Sequence, residues 1–495
     1  MFISGALTMT ICFKGNSFKY ETEAIMKLFL PVDNFLFVYD DVVTDGDFAL
    51  ISVEEENEFF RLEVRVSLDG KKAVMKDSIT KENGLSSCEF PLCRMLYKCL
   101  YKLTGKAQPW GCITGIRPVK EVNRLIEKNM SREEIFSVMK EKYFISDEKL
   151  NLAYKTAVTQ EKLLKIPKKS YSLYVSIPFC PTRCAYCSFV SHSMDSAQKL
   201  IPQYVEKLCE EIKITSEYAE KAGLILDTVY FGGGTPTSLD AEYIDKIMKT
   251  VARCFTLSTI REYTVEAGRA DTITAEKLAV IKENGGNRIS VNPQTMNDNV
   301  LKTIGRNHTA EQVREAFSLA RKIGFENINT DLIAGLPSDN LDSFINTVEE
   351  VLKLNPESVT VHTLTLKRAS SLFANAKQVS DDDVAAMVAY SVDRLCKIGY
   401  NPYYLYRQKN TLCNLENVGY AKEGKESFYN IFIMEEAQTI LAVGAAASTK
   451  LCDAKSGKIE RVYNYKFPYE YINRFDTLMQ RKNEIAEFYK KYPTE

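Results

Sequence analysis

Apolar and polar positions along the chain fall into two textures, and the change comes near residue 170. Before it, runs such as "DNFLFVYDDVV" (33–43) and "FFRLEVRVSL" (59–68) alternate apolar and polar residues with a period of two, which predicts half-buried strands. "PLCRMLYKCLYKL" (91–103) instead carries its apolar residues at helical spacing, and a second helical stretch follows "PWGCITGIRPVKEVNRLIEK" (109–128). Ser131 and Glu134 stand at capping-box spacing before the next apolar face. These elements predict a separate α+β module over 1–165, closed by a linker at "LLKIPKKS" (163–170).

After it, short β-branched or aromatic runs alternate with amphipathic helical runs, which predicts parallel strands joined by crossover helices. The six runs are "LYVSIPF" (173–179), "LDTVYFG" (226–232), "EYTVEAG" (262–268), "NRISVNP" (287–293), "NINTDLIAG" (327–335) and "SVTVHTLTL" (358–366). Among the helices between them, "AEQVREAFSLARKIG" (310–324) is preceded by Thr309, which forms a capping-box pair with Gln312. Six βα units are too few to close an eight-stranded barrel. The predicted fold is therefore α/β, a partial (β/α)6 barrel over 170–375, with an α+β extension over 376–495. Ligands of such a sheet are expected at the C-terminal ends of its strands.

Composition adds exclusions. Lys+Arg 64 against Asp+Glu 65 leaves no global basic field for nucleic acid or an anionic membrane. No segment is long and uncharged enough to span a bilayer, and the first twenty residues lack a basic n-region, so a cytoplasmic protein without membrane insertion is expected. The 13 cysteines are an odd number spread through a long chain, which fits buried thiols in a reducing compartment rather than a disulfide scaffold.

Against that background Cys180, Cys184 and Cys187 stand out, because they fall within eight residues directly after the first strand of the βα series. A C-x3-C-x2-C loop can hold a [4Fe-4S] cluster while leaving one iron without a protein ligand. Zinc, which favours four protein ligands at a structural site, and three unrelated core cysteines are the rival readings. The second strand ends in "YFGGGTPT", whose glycines let backbone approach a ligand, or simply make a tight turn.

Together these stretches resemble the radical S-adenosylmethionine (SAM) enzymes. "LYVSIPFCPTRCAYC", "VYFGGGTPTSL", "RISVNPQTMNDNVLKTIGRNHT" and "DLIAGLPSDNLDSF" are similar to the oxygen-independent coproporphyrinogen III oxidase group within them. "PWGCITGIRP" and "NLENVGYAKEGKESFYNIFIMEEAQTILAVGAAAS" resemble its coproporphyrinogen dehydrogenase branch, so the likeness covers nearly the whole chain. It implies that Cys180, Cys184 and Cys187 bind a [4Fe-4S] cluster whose open iron takes SAM. It also implies SAM contacts from Tyr174, Tyr186, Gly233, Gly234, Thr235, Glu266, Gln294, Arg306 and Asp331, with Thr365 as a backbone contact. No catalytic residue beyond cluster and SAM is implied.

The reaction implied is oxidative decarboxylation of two propionates of coproporphyrinogen III, with a flavodoxin or ferredoxin as electron donor and one SAM, or two. A haem-binding chaperone of the same superfamily is the alternative. Chaperone relatives tend to carry H-N-x-x-Y-W in the C-terminal region, where this chain has "ESFYNIFIMEE". Other departures are Ser188 and Phe189 in place of a fourth cysteine after the trio, Ser176 in "SIPFC" where the group has His, and "EAGR" in place of E-x-N/D-P. Arg306, Arg368 and Arg407 are candidates to meet propionates. Of the histidines, His192 follows the cysteine loop, His308 precedes a helix and His362 sits in a strand; structural roles are expected for at least two.

Overall fold

The computed structural model describes residues 9–30, 34–41, 45–167, 169–189, 192–366, 379–453 and 455–492; Arg368 lies outside them. The chain divides into two compact units, Met1–Tyr154 and Lys155–Glu495.

In the first unit, strands Met9–Lys14 (β1), Phe35–Tyr39 (β2), Phe48–Glu55 (β3), Phe59–Leu68 (β4) and Lys71–Thr80 (β5) form one sheet in the order β2-β1-β3-β4-β5. β1 runs parallel to both neighbours, and β4 runs antiparallel to both β3 and β5. The alternation of β4 does what its period requires: Phe60, Leu62, Val64 and Val66 are buried while Arg61, Glu63 and Arg65 face the other way. Helix Glu89–Thr104 packs against β4 and buries Leu92, Met95, Leu96, Cys99 and Leu100, one helical stripe. The expected capping box is formed. Ser131 Oγ accepts from the Glu134 amide, and the Glu134 carboxylate accepts from the Ser131 amide.

The second unit is built on an eleven-stranded sheet. Ser170–Ile177 (β6) is followed by the short Phe179–Cys180 (β7) and His192–Ser193 (β8), which pair with each other. Ile225–Gly233 (β9), Glu262–Glu266 (β10), Arg288–Ser290 (β11), Ile328–Ala334 (β12) and Ser358–Thr363 (β13) then add in chain order, each parallel to the last. With β6 these are the six strands of a partial barrel, and helices such as Ala241–Cys254, Ala310–Ile323 and Leu341–Lys353 connect them. The Thr309–Gln312 capping box starts the second of those helices.

The C-terminal residues extend both edges of this sheet. Glu416–Ala421 (β15) pairs antiparallel with β13, and Asn401–Arg407 (β14) lies outside it. At the other edge Thr439–Val443 (β16) runs parallel to β6, followed by Ser448–Asp453 (β17) and Lys458–Tyr463 (β18). Residues 155–495 form one compact unit. The stretch read as a linker is packed as well. Leu163, Leu164 and Ile166 lie against Tyr403, Tyr404, Ile431 and Phe432.

Two buried carboxylates tie the C-terminal residues to the barrel. Glu211 accepts from the Gly444 amide, Tyr471 Oη, Asn464 Nδ2 and, at 2.7 Å, Lys482 Nζ. Glu262 accepts from Ser427 Oγ and the Phe428 amide, at the start of helix Phe428–Glu435. A carboxylate at that end of a helix meets free amides and the positive end of the helix dipole.

Candidate functional site at the C-terminal ends of the strands

The cysteine loop leaves β6 and β7 and settles on the turn after helix Asp298–Thr303. Thr182 Oγ1 donates to the Gly305 carbonyl, and the Ala185 amide to that of Ile304. Tyr186 packs on a core of Val300, Leu301, Ile304, Ile333, Leu336 and Leu364. Cys180, Cys184 and Cys187 are partly exposed and free of disulfides. Burial pushes the Cys187 thiol above its ordinary range. Among the described residues no three His, Cys, Asp or Glu side chains surround a point as single-metal ligands would. A closed single-metal zinc site is thus not formed among the described residues, whereas a cubane cluster, in which each thiolate meets a different iron, does not require three side chains about one point.

The glycine loop lies directly against this segment. The Gly234 amide donates to Ile177 O, the Thr235 amide to Phe179 O, and Thr235 Oγ1 lies 3.5 Å from Cys180 Sγ. A Cβ on Gly234 would fall 2.5 Å from Phe179 O and 3.0 Å from Cys180 Sγ. Gly233 has φ +107°, a region open to glycine, with Ser176 Oγ 3.0 Å from where its Cβ would be. The space these residues leave is therefore filled first by the cysteine strand.

Two buried arginines converge on the loop. Arg306 Nη1 donates to the Gly268 and Asn292 carbonyls and Nη2 to Tyr186 Oη, and its guanidinium also faces Cys184. Arg269, from the departing "EAGR", reaches Thr182 and Cys184 from the next turn, with Nη1 3.6 Å from Cys184 Sγ. In the sequence this position stands only as a departure from E-x-N/D-P.

Below the loop, Tyr174, Tyr230 and Tyr429 form a stack, with Tyr230 and Tyr429 centroids 4.3 Å apart. Tyr230 Oη donates to Glu266 Oε1 at 2.6 Å. Desolvation, with the Asp331 carboxylate nearby, pushes the Glu266 carboxyl up to about 7. Asp331 accepts from Asn329 Nδ2 and lies 4.0 Å from His362 Nε2, whose Nδ1 is 3.4 Å from Tyr406 Oη.

Ser290, Asn292 and Gln294 leave β11 at every second position. Ser290 Oγ, Asn292 Oδ1, Gln294 Oε1 and the Nε of Arg306 are buried with no hydrogen-bond partner among the described residues. Folded proteins rarely leave such atoms unpaired, so this rim is fitted to a ligand rich in hydrogen-bonding groups. SAM, with its ammonium, carboxylate, ribose and adenine, has that chemistry.

The structure thus gathers Cys180, Cys184, Cys187, Tyr186, Gly233, Gly234, Thr235 and Arg306 at one end of the sheet, with Gln294 on β11's rim. Tyr174 and Glu266 both lie against Gly232 beside that loop, with Asp331 near Glu266. Thr365 is turned to Thr411, 2.9 Å between hydroxyls. Arg407 is buried and donates to Asn414 O. The His192 ring lies edge-on to Phe467, and His308 is buried beside Asp271. The aromatic partners Tyr230 on β9 and Tyr429 on helix Phe428–Glu435 and the polar Asn292 just past β11 carry no positional signal in the sequence until these elements are laid side by side.

The family model of the radical SAM superfamily matches residues 174–351. The chain is 43% identical over 393 residues to the oxygen-independent coproporphyrinogen-III oxidase-like protein HemZ of Bacillus subtilis (strain 168), covering 78% of each. It is 32% identical over 327 residues to the heme chaperone HemW of Lactococcus lactis subsp. lactis (strain IL1403), covering 65% of this chain and 80% of that one. Among solved structures, coproporphyrinogen III oxidase (HemN) from Escherichia coli, a radical SAM enzyme, superposes with TM-score 0.52 at 24% identity over 65% of this chain and 73% of that one, a likeness of fold.

Proposed function

Because this chain belongs to the radical SAM superfamily, in its oxygen-independent coproporphyrinogen-III oxidase-like family, we propose that it oxidatively decarboxylates propionate side chains of coproporphyrinogen III. The superfamily implies a [4Fe-4S] cluster and SAM. In this reading Cys180, Cys184 and Cys187 hold the cluster. Bound together, cluster and SAM supply a 5'-deoxyadenosyl radical able to take a hydrogen atom from carbon.

The chain's own residues bind, orient and exclude water. Arg306 and Tyr186 brace the cysteine loop. Asn292 and Gln294 offer unpaired acceptors to SAM, and Glu266 and Asp331 offer carboxylates to its cationic groups. The stack of Tyr174, Tyr230 and Tyr429 closes the lumen beneath, keeping the radical from solvent. Each vinyl group formed requires loss of one hydrogen atom, one carbon dioxide and one electron, the last passing to a one-electron acceptor. Reduction of the cluster is assigned to a flavodoxin- or ferredoxin-class donor, and the compartment to the cytoplasm. No described helix is long and apolar enough to cross a membrane.

The observation that carries this reading is the set of orphaned polar atoms on the same rim as the three thiols. Anaerobic incubation with SAM, reductant and coproporphyrinogen III deuterated at the propionate β-carbons tests it. Deuterium in 5'-deoxyadenosine together with released carbon dioxide is expected. Tight haem binding with neither label transfer nor carbon dioxide assigns the chain to the chaperone role of its HemW relative instead. Against that role stands the burial of Ser427, Tyr429, Ile431 and Phe432, the stretch where chaperone relatives carry their motif.

A further inference from the structure

Position 269 is where "EAGR" replaces E-x-N/D-P, so an arginine stands at the place of a proline. Its side chain is nearly sealed from solvent, with 2% of the residue exposed. Nε and Nη2 donate to the two oxygens of Asp271 at 3.0 and 2.8 Å, a bidentate pairing that fixes the plane of the guanidinium. Asp271 is itself flanked by His308 Nδ1 at 3.7 Å. Although burial works against its charge, His308 and Arg269 hold the Asp271 carboxyl below its ordinary range. The remaining nitrogen, Nη1, points into the cysteine loop, 3.2 Å from Thr182 Oγ1, 3.4 Å from Thr182 O and 3.6 Å from Cys184 Sγ. A proline could make none of these contacts.

The geometry points to Arg269 as a positioning residue that holds Cys184 in place and makes a cluster on this loop easier to reduce. This rests on the reading of the loop as a [4Fe-4S] site. Three thiolates on an oxidised [4Fe-4S] core carry one net negative charge, and an electron from a low-potential reductant makes it two; no bond changes and no proton moves. A charged N–H donor at a coordinating sulfur stabilises the more negative state more, and in a water-poor setting the effect is strengthened. Asp271 occupies the Nε–Nη2 edge of the fork, so what faces Cys184 is the N–H of Nη1. Arg306 faces the same sulfur from the other turn but is shared with Tyr186 and two carbonyls. Arg269 has no such tie to the SAM rim.

The test is an anaerobic redox titration of the reconstituted full chain, followed by electron paramagnetic resonance of the reduced cluster, without SAM or substrate. Wild type, Arg269→Gln and Arg269→Lys are compared, with iron content and circular dichroism measured on each. At the wild-type midpoint potential, Arg269→Gln with a full iron content should show a reduced-to-oxidised ratio about tenfold lower, as fits loss of one charge-assisted hydrogen bond. Arg269→Lys should fall between. An unchanged ratio in Arg269→Gln overturns the inference. If Arg269→Gln fails to retain iron, Arg269→Lys decides: a lowered ratio supports the role and a wild-type ratio overturns it. Loss of iron from both folded variants overturns the electronic role in favour of a purely structural one. A wild type that assembles no [4Fe-4S] cluster would instead remove the reading beneath.

Discussion

Gly234 leaves no room for a side chain beside Cys180: a Cβ at 234 would sit 3.0 Å from the cysteine sulfur and 2.5 Å from the preceding carbonyl oxygen. The carbonyl cannot move without breaking the hydrogen bond that Thr235 donates to it. Gly234→Val should therefore displace Cys180 and cost the chain its iron, not only its SAM. Iron and sulfide assays after reconstitution check this, against the four of each expected for wild type. A full complement of both in the variant, with SAM binding abolished, would mean the loop yields to the side chain and serves the ligand alone.

Gln294 carries an unpaired buried amide oxygen on backbone with φ +69°. Replacing it by glycine removes an unsatisfied acceptor and suits the left-handed backbone, so thermal stability should hold or rise. SAM affinity of the cluster-loaded protein should fall by about 1–3 kcal/mol if that oxygen accepts from the ligand. Calorimetric titration beside a melting curve separates the two effects; a destabilised variant with unchanged SAM affinity would give Gln294 a structural role.

Glu266 gives the fold a pH dependence of definite sign. Its carboxyl is pushed up to about 7, against 4.5 for an ordinary glutamate. Between those values the folded state binds the extra proton, so stability falls as pH rises through the window, by up to about 3 kcal/mol. Urea unfolding of the cluster-free chain at pH 5 and pH 8 should show this loss, and Glu266→Gln should flatten it. An equal slope in the variant would place the dependence elsewhere.

Lys482 and Glu211 form a fully buried ion pair, 1% and 0% exposed in their side chains. Lys482→Ala leaves Glu211 charged without its cation, and should destabilise the second unit by about 3–5 kcal/mol. Lys482→Met removes the charge but keeps the packing volume, and Glu211→Gln with it should recover part of the loss. Thermal denaturation of the single and double variants measures this.

What could be read in the chain was what is local. The capping boxes at Ser131 and Thr309 and the six parallel strands rest on residues within a few positions of one another, and all are formed. The edges of the sheet were not legible, because no pattern within "NPYYLYR" says that β14 lies beyond β15 and not beside β13. Neither was the reason for Ser176. Its Oγ donates to the Ala445 carbonyl, 269 residues away, and its own carbonyl accepts from Tyr204 Oη, so a position that carries His in the resembled group here serves the join to β16. Arg269 shows the converse, a motif broken at one residue and given another use by a fold only visible in space.

The seam between β6 and β16 also sets an order of events for the newborn chain. Gln438 hydrogen-bonds Ser170 across 268 residues, so the strand leading to the cysteines acquires its second neighbour only after that much more chain has been made. Pairings that distant fold slowly. Until then one flank of β6 is an open edge able to capture other chains, with the three thiols at its tip. Iron delivery is therefore best timed after β16 has been made, and chains ending before residue 439 should accumulate as insoluble, iron-free protein.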